Sequence, residues 1–317
     1  MSLLSVQNLR LGFPKAPGAP VVLDGIDLEV AQGEILGLVG ESGSGKSMTA
    51  LATMGLLPPG AQVLSGRITL DGTDLTDLTE RDWRRIRGGE VGMIFQDPMT
   101  GLNPVRSVGS LLGESIRRHQ SVTKSQAADI AEAALRAVGI PAPRARLSAY
   151  PHQLSGGMRQ RVMIALALVN APRIILADEP TTALDATVQA QILDLLRDRL
   201  HAAGGLMITH DLGVAADICD RIAVIYHGRI VEQGRTTDVL RAPRHPYTAG
   251  LLSAVPTFAG RGTRLIPIPG QPPGPTARRI ACSFRPRCTH ATEQCAAVPE
   301  LIDNVACHNA LQPEGAL

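Results

Sequence analysis

The stretch Gly40-Glu-Ser-Gly-Ser-Gly-Lys46-Ser47 decides the fold of this 317-residue chain. It matches the pattern G-x-x-x-x-G-K-[ST], and the apolar segment Glu34–Gly40 before it predicts a strand that leads into a helix. Glycines let backbone N–H groups curl around phosphate oxygens, and the start of the following helix adds positive dipole. Lys46 can reach the β- and γ-phosphates of a nucleotide, and the Ser47 hydroxyl can bind Mg²⁺. The residues expected to contact the nucleotide here are Ser42, Gly43, Ser44, Gly45, Lys46, Ser47 and Met48.

An acidic pair follows a second apolar stretch. The segment Arg173-Ile-Ile-Leu-Ala-Asp178-Glu179 predicts a buried strand that ends in two carboxylates. Asp178 can hold Mg²⁺ through water, and Glu179 can act as general base toward an attacking water. Two acids at a strand end can also cap a helix, and a glycine-rich turn can carry an incidental lysine. The chain has only three lysines, which disfavours that second alternative.

Composition and charge exclude several classes of protein. Apolar residues make up 44% of the chain and charged residues 19%, which allows a packed core and disfavours general disorder. Aromatic residues are only 3% and the net charge is +2, which disfavours base-stacking RNA readers and proteins that coat nucleic acid. The longest strictly apolar run, Val162–Val169, is far shorter than the roughly 18 residues that a membrane helix needs. Because the N-terminus lacks a basic, apolar leader, we expect a cytosolic location with reduced thiols.

Short strands alternate with helical segments along most of the chain, which indicates an α/β fold with a mostly parallel sheet. Apolar and polar residues alternate over 4–30 around a Gly/Pro-rich loop, which predicts two strands. The sequence Ile222–Tyr226, His227–Gly228, Arg229–Glu232 predicts a hairpin. The other predicted elements are strands at Arg67–Leu70, Val91–Phe95, Arg173–Ala177 and Leu206–Thr209 and helices at Ser125–Val138 and Val188–His201. The proline- and arginine-rich segment Arg261–Arg287 predicts an extended connection without a core.

Four further motifs occur in a fixed order around the glycine-rich loop and the acidic pair. They are Gln96 after the strand Val91–Phe95, the segment Leu154-Ser-Gly-Gly-Met158 followed by Arg-Gln-Arg161, then Ala183-Leu184-Asp185, and His210 after Leu206–Thr209. In this order they resemble the Q-loop, signature motif, D-loop and switch histidine of the ABC ATPases. The resemblance covers about residues 3–255. It implies an ABC-type P-loop NTPase core with an antiparallel β subdomain and a helical subdomain at about 97–160.

The resemblance implies a role for each motif around ATP and Mg²⁺. Ser155, Gly156 and Gly157 would cap the γ-phosphate of ATP held by a partner subunit, so that ATP is sandwiched at a dimer interface. Gln96 would contact Mg²⁺ together with Ser47 and Asp178. His210 would bond the γ-phosphate and orient Glu179, and Asp185 would belong to the same site. Phe13 stands where the family places an aromatic ring that stacks on adenine, although an aromatic at a strand end also serves as packing.

Three later segments narrow the resemblance to one subfamily. His245-Pro-Tyr-Thr248, Gly250–Pro256 and Ile268–Pro273, with the loop Pro98–Pro104, resemble ATPases of dipeptide, oligopeptide and nickel importers. The resemblance implies an ATP-hydrolysing subunit at the cytoplasmic face of the membrane. Its partners would be a second, homologous ATPase subunit, two transmembrane permease subunits and an extracytoplasmic solute-binding protein, with no nucleic acid. Peptide is the expected solute. Nickel, glutathione or another small solute is the alternative, and a soluble ABC ATPase of DNA repair or translation is a remote one.

Four of the five cysteines, Cys282, Cys288, Cys295 and Cys307, crowd into the C-terminal tail. Their spacing, C-x5-C-x6-C-x11-C, differs from the paired C-x2-C of most zinc ribbons. A small segment without a core often needs a metal, and four thiolates suit either Zn²⁺ or an iron–sulfur cluster. The tail resembles that of peptide-importer ATPases, some of which hold a [4Fe–4S] cluster. The nearby arginines that would offset the charge of such a cluster are Arg278, Arg279, Arg285 and Arg287. We expect an ATPase domain over 1–255 and a four-cysteine extension over 256–317.

Overall fold

The computed structural model describes residues 2–97, 101–181, 186–255, 266–274, 276–277 and 279–312, except for the side chain of Ala186. The strands are β1 (Ser2–Gly12), β2 (Val21–Ala31), β3 (Ile35–Val39), β4 (Gln62–Leu70), β5 (Thr73–Asp74), β6 (Val91–Ile94), β7 (Ile174–Asp178), β8 (Gly205–Thr209), β9 (Arg221–Tyr226) and β10 (Arg229–Arg235). The helices are α1 (Lys46–Thr53), α2 (Glu80–Ile86), α3 (Val108–His119), α4 (Lys124–Ala137), α5 (Pro143–Arg146), α6 (Gly156–Leu168), α7 (Ala186–Ala203), α8 (Leu212–Ile218), α9 (Thr236–Arg241) and α10 (Pro246–Ser253). Short 3₁₀ helices lie at Pro151–Gln153, Arg285–Arg287 and Glu293–Ala296.

The chain divides into two compact units. The first unit takes Ala31–Glu34 and Leu78–Leu206. The second unit takes Ser2–Val30, Ile35–Asp77 and the described residues from Met207 onward. The acidic pair and the signature segment therefore lie in the first unit, whereas the glycine-rich loop and the cysteine tail lie in the second. The sequence-based division at residue 256 stays a prediction.

The second unit contains an antiparallel sheet in the order β2-β1-β4-β5. In it Leu4 lies opposite Leu70 and Val6 opposite Ile68, and all four side chains are buried. Strand β3 pairs in parallel with β9, and β9 pairs antiparallel with β10. The β9–β10 hairpin turns at His227 and Gly228, whose φ angles are 47° and 75°, as a tight hairpin turn requires. The predicted hairpin is confirmed.

The first unit contains the parallel pair β6 and β7, whose residues are all buried. Beside it α3 and α4 pack together through an apolar stripe, and the buried side chains of this stripe are Leu112, Ile116, Ala127, Ala131 and Leu135. Thr123 begins α4 with a capping box, since its side chain accepts from the Gln126 N–H and Gln126 reaches back to the Thr123 N–H. The helix predicted at Ser125–Val138 is confirmed, and so is the parallel pairing.

The expected extended connection is seen over the described residues 266–274, which form no helix or strand, but it ends before Arg287, because the tail packs within the second unit from about Cys282. Phe284 is only 3% exposed, and Val305 is buried as well. The Ala306 N–H donates to the Val231 carbonyl at 2.8 Å, and the Gln233 N–H donates to the Asn304 carbonyl at 2.9 Å, both on β10. Pairing with β10 and a few buried side chains join this tail to the core of the second unit. Among the described residues, no helix is long and apolar enough to cross a membrane.

Candidate nucleotide-binding site

The glycine-rich loop, residues 40–47 and hereafter the phosphate loop, joins β3 to α1 as predicted. Gly43 and Gly45 have φ angles of 78° and 113°, in the left-handed region that favours glycine. A Cβ at Gly45 would lie 2.6 Å from Cδ2 of Leu23, whereas a Cβ at Gly43 would meet nothing within 4 Å. The loop is therefore closed on the side of Leu23 and open at Gly43, where a phosphate could approach the backbone.

Lys46 lies at the bottom of this loop with only 5% of its surface exposed. Its Nζ donates to the carbonyls of Gly40 at 2.7 Å and Glu41 at 3.0 Å, so the ammonium is held across the loop. The Ser44 hydroxyl is buried and finds no hydrogen-bond partner among the described residues. A buried cation, an unpaired hydroxyl and an open glycine backbone fit a bound phosphate group.

The second unit contains two further residues that were predicted to contact the nucleotide, Phe13 and His210, and both are less buried than Lys46. Phe13 is half-buried after β1, and its N–H donates to the Pro20 carbonyl at 2.9 Å. A cavity of about 220 Å³ beside the phosphate loop is lined by Ser42, Gly43 and Ser44, but Phe13 is not among its lining residues. His210 follows β8 and is exposed.

The acidic strand β7 ends as the sequence predicts. Asp178 is 5% exposed, and Glu179 follows it half-buried. Glu179 has a φ of 46°, a left-handed conformation that costs a non-glycine residue on the order of 1 kcal/mol. Gln96 Nε2 donates to Glu179 Oε2 at 3.1 Å, across 83 positions of sequence. The fold of the first unit thus brings the predicted Q-loop glutamine to the predicted general base.

The signature segment begins α6. Ser155 is the N-cap, and its hydroxyl accepts from the Met158 N–H at 3.3 Å. Ser155 and Gly156 are exposed, and Gly157 is half-buried.

Gln160 is a residue of this helix to which sequence reasoning gave no role. It is 2% exposed, and its Nε2 donates to the carbonyl of Pro180 at 2.5 Å, directly after Glu179. The helical period could have indicated that Gln160 is buried, because it lies four residues before Ile164 on the same helix face, and Ile164 is buried. A polar residue at a core position of a helix indicates a specific partner.

The four tail cysteines lie in one neighbourhood and form no disulfide. The Cys282 N–H donates to the Cys295 carbonyl at 3.1 Å, and Cys295 is 5% exposed. Burial raises the pKa of Cys282, Cys288 and Cys307, and the neighbouring cysteines raise these pKa values further. Within the described part of the chain, no group of three or more His, Cys, Asp or Glu side chains is arranged to hold a metal ion. The chemistry of the donors fits a thiolate-bound metal, but their present arrangement is not a coordination shell.

Two predicted features lie outside the described residues. One is the D-loop segment with Asp185, and the other is the start of the loop Pro98–Pro104. The fifth cysteine, Cys219, lies apart from the tail and is buried in the core, with 7% of its surface exposed.

Two family models match the chain. Residues 23–182 match the model described as ABC transporter, and residues 231–295 match the C-terminal region of oligopeptide/dipeptide transporters. The chain is 44% identical over 322 residues to the dipeptide transport ATP-binding protein DppD of Haemophilus influenzae, covering 99% of this chain and 98% of that protein. It is 46% identical over 301 residues to the oligopeptide transport ATP-binding protein OppD of Salmonella typhimurium, covering 94% and 90%.

A solved structure agrees with this result. The dimeric, post-hydrolysis ATP-binding cassette MJ0796 bound to ADP and Pi aligns with a TM-score of 0.66 and 27% identity, covering 74% of this chain and 98% of that one. The first family model spans the phosphate loop, the signature segment and the acidic pair. The chain therefore belongs to the family of ABC transporter ATP-binding proteins, and its C-terminal region is of the oligopeptide/dipeptide transporter type.

Proposed function

We propose that this chain is the ATP-hydrolysing subunit of an importer that takes up dipeptides or oligopeptides. The observation that carries the proposal is the open phosphate loop with its buried Lys46, in a chain that matches peptide-transport ATP-binding proteins over nearly its whole length. The names of these relatives favour peptide over nickel or glutathione as the solute.

The phosphate loop would hold the nucleotide. Backbone N–H groups of the segment from Ser42 to Met48 would bind the phosphates, and Lys46 would exchange its two carbonyl partners for phosphate oxygens. Ser47, Gln96 and Asp178 would hold Mg²⁺, whose charge stabilises the transferring phosphoryl group. Phe13 would contact the adenine.

Hydrolysis would depend on Glu179 as general base. Its carboxylate would take the proton of the attacking water, and the hydrogen bond from Gln96 would hold that carboxylate in one orientation. His210 would bond the γ-phosphate and orient the same water. The hydrogen bond from Gln160 to the Pro180 carbonyl supports the backbone immediately beyond Glu179.

A second ATPase subunit would complete each site. Ser155, Gly156 and Gly157 start a 13-residue helix at an exposed end, where N–H groups and the helix dipole favour an anion. The dimeric state of the related cassette supports pairing of two such subunits. Asp185 would lie at the same interface. Two permease subunits and a solute-binding protein would complete the importer, with this chain peripheral at the cytoplasmic face of the membrane.

We also propose that Cys282, Cys288, Cys295 and Cys307 hold a [4Fe–4S] cluster, with zinc as the competing metal. Four thiols without a disulfide in one small packed segment support this assignment. The thiols would lose their protons when the metal binds, and the sulfur atoms would have to move together, because the described residues do not yet form a coordination shell. Iron, zinc and acid-labile sulfide are measured on anaerobically purified chain. Four irons and four sulfides are expected, whereas zinc alone or no metal would overturn the cluster.

The variant Glu179→Gln tests the main proposal. The variant complex should retain MgATP binding, should co-purify with its permease partners, and should lose nearly all hydrolysis. The exposed residue Glu29 offers a matched control, and Glu29→Gln should leave turnover unchanged. Undiminished turnover in Glu179→Gln would remove Glu179 as base, and recovery of the chain without any membrane partner would remove the importer assignment.

A further inference from the structure

One residue of the phosphate loop, Glu41, is bound on all three of its polar groups. Its N–H donates to Oη of Tyr247 at 2.8 Å, and its carbonyl accepts from Lys46 at 3.0 Å. Its carboxylate accepts two hydrogen bonds from Arg287, at 2.6 Å from Nη1 and at 2.9 Å from Nη2. Glu41 therefore connects the lysine of the loop with a residue 246 positions later in the tail.

Arg287 is built into the molecule rather than lying on its surface. It is 6% exposed, and its Nε donates to the Pro269 carbonyl at 2.8 Å. Its Nη1 also lies 3.3 Å from the Tyr226 hydroxyl, and its guanidinium stands over the rings of Tyr226 and Phe284. A guanidinium with so many fixed partners holds a carboxylate in one geometry, which a lysine could not do.

The platform beneath this pair is aromatic. The ring of Tyr226 lies 4.6 Å from that of Tyr247 and 5.3 Å from that of Phe284, measured between centroids. Tyr247 is fully buried, and Phe284 comes from the tail, three residues before Arg287. Phe284 packs against both tyrosines, of which Tyr226 contacts Arg287 and Tyr247 accepts from the Glu41 N–H, so the tail and the loop share one aromatic cluster.

The tail also contacts the β9–β10 turn, which borders the other side of the loop. Arg279 donates from Nε to the His227 carbonyl at 2.8 Å, and Ser283 Oγ lies 3.0 Å from His227 Nδ1. The next residue, Gly228, donates its N–H to the Ser44 carbonyl at 2.8 Å. The tail thus reaches the phosphate loop directly at Glu41 and, through the β9–β10 turn, at Ser44.

The charge of Glu41 gives this contact a consequence for binding. A carboxylate inside a loop that receives a polyanionic phosphate chain repels that chain unless a cation offsets it, and the repulsion is strong where water is excluded. Arg287 supplies the offsetting charge. We propose that Arg287 is a positioning residue for nucleotide binding, which fixes and neutralises Glu41 so that the phosphate loop accepts the nucleotide. This inference rests on the proposed binding of nucleotide by the phosphate loop.

The test compares MgATP affinity and turnover among variants of the full chain. Arg287→Gln should weaken MgATP binding by roughly an order of magnitude, because it leaves a charged partner uncompensated. In the assembled complex, the KM for ATP should rise by a similar factor, while kcat at saturating ATP stays within about two-fold. The MgATP affinity of Arg287→Lys should lie between those of Arg287→Gln and the unaltered chain. Arg285 is an exposed arginine in the same turn, and Arg285→Gln should bind MgATP like the unaltered chain.

Rescue separates a charge effect from a loss of packing. In the double variant Glu41→Gln with Arg287→Gln, most of the affinity should return, because the unpaired carboxylate is gone. Thermal unfolding of each variant shows whether it is folded. A folded double variant that binds MgATP no better than Arg287→Gln would overturn the inference.

Failure of the underlying assignment looks different. If Lys46→Ala abolishes MgATP binding but Arg287→Gln binds like the unaltered chain, only the role of Arg287 falls. If Lys46→Ala binds MgATP normally, the phosphate loop is not the nucleotide site, and the proposed function falls with it.

Discussion

The phosphate loop and the signature segment are both glycine-containing starts of helices, but this chain completes only the first. At the phosphate loop, Lys46 is buried and bound by two carbonyls, and the tail holds Glu41 through Arg287. At the signature segment, Ser155 and Gly156 are exposed, and the Ser155 hydroxyl accepts from the Met158 N–H of its own helix. The difference teaches that two helix starts of similar sequence can differ in how far the rest of the chain surrounds them. One helix start is held by side chains of the same chain, and the other stays open, as the proposed second subunit would require.

Loss of the buried cation should have the largest effect on the first of these sites. Lys46→Ala removes the ammonium that would face the phosphates, and we expect MgATP affinity to fall by about 100-fold or more, as for loss of a charged contact in a desolvated site. Titration of the full chain with a fluorescent ATP analogue measures this. Lys124→Ala, an exposed lysine at the start of α4, serves as the control. A chain with Lys46→Ala that binds normally would contradict the contrast between the two helix starts.

A new carboxylate in the signature segment should separate binding from hydrolysis. Gly156→Asp places negative charge at a helix N-terminus, where it stabilises the helix, so the chain should fold. The same charge would repel the γ-phosphate held by the partner subunit. We expect hydrolysis by the assembled complex to fall by about 100-fold, in the range seen when an electrostatic contact to the transition state is lost. MgATP binding by the isolated chain should not change, and a parallel loss of binding would show that the segment acts within its own subunit.

The sequence predicted the contacts that depend on nearby residues. The strand–loop–helix around Lys46 follows from glycine spacing and an apolar run, and the hairpin at His227 and Gly228 follows from its turn residues. The strand that ends at Asp178 follows from four buried apolar residues. In each case the cause lies within a few residues of the effect, so one sequence suffices.

Contacts between distant segments were not predictable in the same way. Arg287 was expected to offset the charge of a metal cluster, because cysteines are its neighbours in sequence. The structure pairs it with Glu41 instead, at a separation that no local pattern encodes. Phe284 likewise becomes a core residue only because Tyr226 and Tyr247 come from β9 and α10. The four-cysteine spacing names a donor chemistry but not the arrangement of the sulfur atoms.

Acid should lower the free energy of unfolding through His245, which lies two residues before Tyr247, the tyrosine that contacts Glu41 of the phosphate loop. This residue caps α10, where its Nδ1 accepts from the Tyr247 N–H at 3.0 Å, and burial lowers its pKa to about 4. The unfolded chain takes up the proton near pH 6.5 and the folded chain does not, so the free energy of unfolding falls as the pH drops from 6.5 toward 4. At pH 5 the loss is about 2 kcal/mol. Burial raises the pKa of Glu232, which works in the opposite direction.

Urea denaturation between pH 7.5 and 5 measures this slope. His245→Asn keeps an acceptor for the cap but cannot be charged, so its stability should depend less on pH than that of the unaltered chain. His152→Asn changes an exposed histidine of the first unit and should keep the original slope. Equal slopes in all three chains would show that burial of His245 does not govern acid sensitivity, and that Tyr247 does not lose its support in acid.

We expect the smallest change in stability from a substitution at Gly156, the most open position of the signature segment. At Gly156 an added Cβ meets nothing within 4 Å and the backbone does not require glycine, so Gly156→Ala should change the stability of the isolated chain by only about 0.5 kcal/mol. Gly45→Ala is the matched substitution in the phosphate loop. There the φ of 113° and the 2.6 Å approach to Leu23 should cost about 1–3 kcal/mol. If Gly156→Ala nevertheless lowers hydrolysis in the assembled complex, the added methyl group must meet something that the isolated chain lacks, which is the contact expected from the partner's nucleotide. If both substitutions destabilise the isolated chain equally, the signature segment is already packed within its own subunit, and the contrast between the two helix starts is wrong.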